Sequence, residues 1–95
     1  MSEPDRVECE VEIVNRAGMH ARPAAEFVKV AGRFRSEITL MKEDLSVNGK
    51  SIMGVLMLAA GQGSRLKVSA QGEDAEDAVR ALKELVNSGF DEVEA

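Results

Sequence analysis

Tryptophan and tyrosine are absent from this 95-residue chain, and only three phenylalanines replace them. A core must therefore be built from Val, Leu, Ile, Met and Ala, and the stacking rings that single-stranded nucleic acid needs are missing. One histidine, His20, rules out metal sites that need two or more imidazoles, and no metal site is expected. One cysteine, Cys9, rules out an intrachain disulfide. Positive charge is in deficit as well: 12 Lys and Arg against 17 Asp and Glu leave a net charge of −5, which disfavours a nucleic-acid partner. The longest apolar run, Val55 to Ala60, falls far short of the ~20 residues of a membrane span, so no membrane partner is expected. The opening MSEPDRVE carries no apolar signal segment, which reads as a soluble, cytoplasmic protein.

The length suits one domain over residues 1–95, near the lower limit for a core that stabilises itself, with 1–5 and 91–95 expected to be flexible. Such a chain has little room for a drug-sized cavity of roughly 300–1,000 Å³, so a surface site working against a partner is the better expectation. Acidic residues crowd the ends (Glu3, Asp5, Asp91, Glu92, Glu94), whereas Arg16, Arg22, Arg33, Arg35 and Lys50 lie between them. Local basic patches can persist on an acidic protein.

Val7, Cys9, Val11 and Ile13 alternate with Glu8, Glu10, Glu12 and Val14, the period of a half-buried strand ending at Asn15. Cys9 falls in the apolar register and reads as a small core thiol rather than a reactive one. Ala24, Phe27, Val28 and Ala31 recur at spacings of three and four, predicting a helix from about Ala21 to Gly32. Pro23 fits only the first turn, which places the helix start at His20. Strands are predicted at Ile38–Lys42, Leu45–Val47 and Leu66–Ala70, and a short helix through Ile52, Val55 and Leu56 with Ser51 as its cap. Ala75, Ala78, Val79, Leu82, Leu85 and Val86 make a last helical stripe that stops near Gly89, with Glu73 and Asp74 placed to favour its dipole. The order is β-α-β-β-α-β-α, an α+β chain whose one-sided helices cover one face of a single sheet.

A lone histidine is often a surface residue without a role, but the neighbours of His20 argue otherwise. A helix N-terminus offers unpaired N–H groups and the positive end of the dipole to an anion. Ser, Thr, Asp or Asn would cap it better, so His20 has no stability motive there. Arg22 adds a fork of donors suited to phosphate oxygens, Gly18 lets the preceding backbone bend, and Pro23 stiffens the first turn. With Ala21 these residues form a phosphate cradle around an imidazole, a side chain available as a neutral nucleophile. No second titratable partner is close in sequence, which favours phosphohistidine chemistry over acid–base catalysis.

Gly18-Met19-His20-Ala21-Arg22-Pro23-Ala24 resembles the active-site segment of the HPr family, the histidine phosphocarriers of the bacterial phosphoenolpyruvate-dependent phosphotransferase system. The resemblance covers essentially the whole chain. It implies an open-faced sandwich, a four-stranded antiparallel sheet with three helices on one face. It implies a carrier rather than an enzyme, which accepts a phosphoryl on Nδ1 of His20 from phospho-enzyme I and gives it to enzyme IIA domains. Arg22 would neutralise the phosphoryl in transit. No cofactor is implied, phosphoenolpyruvate being the ultimate donor through enzyme I, and a monomer is expected.

Ser51 has a plain structural reading as the helix cap. Asn48-Gly49-Lys50-Ser51-Ile52-Met53-Gly54 also resembles the regulatory serine segment of HPr proteins that are substrates of HPr kinase/phosphorylase, and cap and phosphosite are compatible. Ile52, Met53 and Leu56, with Ala21, Ala25 and Lys50, form a candidate partner surface beside His20, although Leu56 reads more naturally as core. Leu56-Met57-Leu58 and Asn87-Ser88-Gly89-Phe90-Asp91-Glu92 look more like NPr, the nitrogen-branch relative. The alternative is therefore a regulatory interaction module whose phosphorylation state controls target proteins rather than sugar uptake.

Overall fold

The computed structural model describes residues 5–92; 1–4 and 93–95 lie outside the described residues. Its elements are β1 (Arg6–Glu12), α1 (Ala21–Ala31), β2 (Glu37–Lys42), β3 (Leu45–Asn48), α2 (Ile52–Met57), β4 (Arg65–Gln71) and α3 (Ala75–Asn87), followed by a 3-10 turn, Gly89–Asp91. The four strands form one sheet in the order β1-β4-β2-β3, with every neighbouring pair antiparallel.

Register explains the two faces. Val7, Cys9 and Val11 stand opposite Ala70, Val68 and Leu66, and Ile38 and Leu40 stand opposite Ala70 and Val68 from the other side. Because side chains alternate along a strand, all of these point to one face. There they meet Ala24, Phe27 and Ala31 of α1 and Ala75, Ala78, Leu82 and Val86 of α3 in one continuous core. Glu10 opposite Lys67 and Glu12 opposite Arg65 populate the solvated face. Truncating a fully buried Phe27 to Ala would cost about 3–5 kcal/mol, which indicates how strongly this layer holds α1 in place. Cys9 is half-buried against the core, and burial pushes its thiol pKa up.

Predicted and observed elements agree to within a residue or two at most ends. Asp74 stands at the start of α3, where the sequence places it, and takes on a further task. It occupies the N-cap position of α3 but does not cap that helix. Its carboxylate instead accepts from the backbone N–H of Arg35 at 2.8 Å and of Ser36 at 2.9 Å, and from Ser36 Oγ at 2.5 Å. Three donors outweigh one, so the side chain turns away from its own helix and ties α3 to the segment entering β2. Glu76 and Asp77 supply the first-turn negative charge in its place.

Candidate functional site

The loop between β1 and α1 is held from within and from below. Gly18 N–H donates to Asn15 O, Asn15 Nδ2 donates back to Gly18 O at 2.8 Å, and Met19 N–H donates to Ala60 O at 2.8 Å. Gly18 lies at φ +73°, and a β-carbon there would fall 2.6 Å from Ala60 O. Only glycine lets the chain pass so close to the loop that leaves α2. Met19 is buried as an anchor, and the next residue, His20, emerges at the surface.

His20 is the N-cap of α1 in extended backbone conformation, and its side chain caps nothing. Pro23 has no N–H, and Ala24 N–H donates to His20 O at 3.0 Å. The N–H groups of Ala21 and Arg22 are thus the first-turn donors without an intrahelical partner, next to the imidazole and at the positive end of the helix. Of the residues flanking His20, Ala21 and Arg22 are exposed, and Gly18 and Pro23 are buried.

A carboxylate already sits in this site. Glu92 Oε2 lies 2.9 Å from His20 Nε2 and accepts from Arg22 Nη2 at 3.2 Å, while Glu92 Oε1 accepts from Asn15 Nδ2 at 2.8 Å. Asn15 leads the influences that hold the Glu92 carboxyl below the usual range, with His20 and Arg22 adding to it against the opposing effect of burial. The turn that delivers Glu92 is unusual: Gly89, Phe90 and Asp91 follow one another at positive φ, and Phe90 is buried. Non-glycine residues hold that conformation at a cost of about 1–2 kcal/mol each, so the buried ring must fasten the turn.

Sequence reasoning missed both Glu92 and Asn15. Asn15 read as a strand end, and Glu92 as one of several acids in a tail 72 residues away from His20. No local pattern distinguishes it from Asp91 or Glu94. Asn15 is 2% exposed, and its Oδ1 has no partner among the described residues, so its amide is committed to the site through Nδ2 alone.

In the second segment the helix-cap reading of Ser51 holds. Ser51 caps α2, its Oγ accepting from Gly54 N–H at 3.1 Å. Lys50 Nζ donates to Phe34 O at 2.7 Å. Ile52 and Met53 are exposed, as are Ala21 and Ala25 on α1, which packs against α2; Leu56 is half-buried against the core. Met57, which the candidate partner surface did not include, is 66% exposed and extends the apolar surface of α2. Two surface hollows of about 420 Å³ lie elsewhere, one lined by Arg35, Ser46 and Lys50 among others and one by Asp5, Gly72 and Asp77, and neither contains His20 or Arg22. Among the described residues no helix is long and apolar enough to cross a membrane.

An exposed imidazole and guanidinium thus close on one carboxylate at a helix N-terminus, on the open surface and outside the two hollows. The chain matches, over residues 7–88, the family model described as the PTS HPr component phosphorylation site. It is 49% identical over 86 residues to the phosphocarrier protein HPr of Pseudomonas aeruginosa, covering 90% of this chain and 96% of that protein. It is 45% identical over 84 residues to the HPr of Neisseria meningitidis serogroup B, covering 88% and 94%. The crystal structure of HPr-C-His from Thermoanaerobacter tengcongensis superposes with a TM-score of 0.89 at 46% identity, covering 93% of this chain and 99% of that one. The chain belongs to the HPr family of phosphocarrier proteins, which are carriers of the phosphotransferase system rather than enzymes.

Proposed function

We propose that this chain accepts a phosphoryl group on His20 from phospho-enzyme I and passes it to an enzyme IIA domain, with Arg22 and the first-turn N–H groups of α1 neutralising the phosphoryl oxygens. The observation that carries this reading is the convergence of His20 Nε2 and Arg22 Nη2 on one carboxylate oxygen, at 2.9 and 3.2 Å. A pair of side chains that converges on a carboxylate oxygen is suited to holding the oxygens of a transferred phosphoryl group. A regulator that only binds its targets would need no such pair, whereas the nitrogen-branch alternative, whose phosphorylation state controls target proteins, would use the same one. Intact mass after incubation with phosphoenolpyruvate and enzyme I, for wild type and His20→Ala, tests it. An acid-labile gain of one phosphoryl in wild type alone is expected, and no gain with a competent enzyme I would sink the reading.

Ser51 is the regulatory site in this scheme, as a substrate of an HPr kinase/phosphorylase. Its hydroxyl sits at the N-terminus of α2, beside exposed Ile52 and Met53, where partners of the carrier would dock. A phosphate there brings about −1.5 to −2 charge into an apolar surface without opposing the helix dipole. Ser51→Asp is expected to slow phosphoryl uptake while leaving thermal stability near that of wild type, because Asp is itself a good cap. Uptake at the wild-type rate would count against regulation through docking.

A further inference from the structure

The carrier reading leaves Glu92 without a task, although three side chains and a strained turn fix its position. A carboxylate accepts hydrogen bonds and, when ionised, donates none. The nitrogen of His20 that faces it at 2.9 Å, Nε2, must therefore be the one that bears hydrogen. In a neutral imidazole the other nitrogen then carries the lone pair. Asn15 holds the second oxygen of the carboxylate at 2.8 Å, and its buried amide is itself pinned to Gly18 O, so the acceptor is oriented from beneath. Histidine, carboxylate and amide make a chain in which each member sets the direction of the next.

We propose that Glu92 is a positioning residue for phosphoryl transfer, holding hydrogen on Nε2 of His20 so that Nδ1 is presented as the nucleophile. The inference rests on His20 being the phosphoryl acceptor. In the step itself, the Nδ1 lone pair forms the new N–P bond as the N–P bond of a phosphoimidazole donor breaks. The donor ring, protonated at its other nitrogen, keeps the bonding pair and leaves as neutral imidazole. His20 keeps its Nε2–H throughout, so positive charge builds on its ring, and the Glu92 carboxylate already faces it. Arg22, which shares that carboxylate oxygen, is close enough to turn toward the incoming phosphoryl oxygens.

His20 is the only histidine, so its ring nitrogens give the only imidazole signals in a long-range proton–nitrogen correlation spectrum. The spectrum is recorded on the unphosphorylated protein at a pH where the ring is neutral. Wild type is expected to show a pyrrole-type Nε2 and a pyridine-type Nδ1, well separated. In Glu92→Ala the two resonances should move toward each other as the tautomers mix. Glu92→Gln, whose side-chain carbonyl still accepts, should restore the separation, which a merely structural contact would not do. Phosphoryl uptake by Glu92→Ala should slow by about two- to fivefold, the scale of a partly exposed ion pair. Ring signals that stay at their wild-type positions in Glu92→Ala, or uptake at or above the wild-type rate, overturn the proposal. Failure of wild type to take up phosphoryl at all falls on the carrier reading instead, and the ring signals still decide whether Glu92 sets the tautomer.

Discussion

Gly18 shows how one residue positions the chemistry of its neighbours. Its left-handed φ of +73° turns the chain so that Met19 can reach Ala60 O and His20 can stand at the head of α1. Any L side chain would meet two obstacles at once. The left-handed conformation costs about 1–2 kcal/mol, and the added carbon would press on Ala60 O at 2.6 Å and Gly61 Cα at 2.8 Å. Both obstacles are backbone, which cannot swing aside as a flexible side chain would. Gly18→Ala should therefore lose more than about 2 kcal/mol in urea denaturation, and phosphoryl uptake should fall with it because the loop carrying His20 is displaced. A variant within about 0.5 kcal/mol of wild type would mean that the α2 exit loop gives way more easily than its contacts suggest.

At the scale of elements, α2 is the part that depends most on a single side chain. It has only six residues, too few for propensity alone to hold it, and the Ser51 hydroxyl satisfies Gly54 N–H in its first turn. Ser51→Ala should cost about 1 kcal/mol by thermal or urea unfolding, whereas Ser51→Asp should not. An unchanged Ser51→Ala protein would show that packing of Val55 and Leu58 suffices to hold the helix. This element was legible beforehand because cap and apolar spacing are local signals, as were His20, Arg22 and Pro23 at the start of α1. Glu92 and Asn15 were not legible. Their contact spans the fold between β1 and the end of α3, and neither residue type announces such a use. Asp74 was placed correctly at the start of α3, but its grip on Ser36 was not legible, since nothing in the sequence near α3 points to that residue. Local periodicity gives elements and their ends; long-range polar contacts appear only once the sheet has brought those ends together.

For the molecule as a whole, α3 is tied down at both ends by carboxylates. Asp74 at its start grips the entry to β2, and Glu92 just beyond its end grips the entry to α1. Both carboxyls are held below their ordinary values of 3.8 and 4.5, Asp74 first by the Ser36 hydroxyl and Glu92 first by the Asn15 amide. A lowered native value means that, on acidification, the unfolded chain takes up these protons before the native one does. Stability from the two clamps is thus fully present above the unfolded values and lost as pH falls through the lower native ones. Urea midpoints should be insensitive to these groups above roughly pH 5.5 and should decline below it. In the Asp74→Asn/Glu92→Gln double variant the neutral-pH midpoint should be lower and the acid slope shallower, because the missing groups no longer bind protons differently in the two states. Curves that run parallel for wild type and double variant would mean that the ends of α3 are held by core packing of Ala75, Leu82 and Phe90 alone.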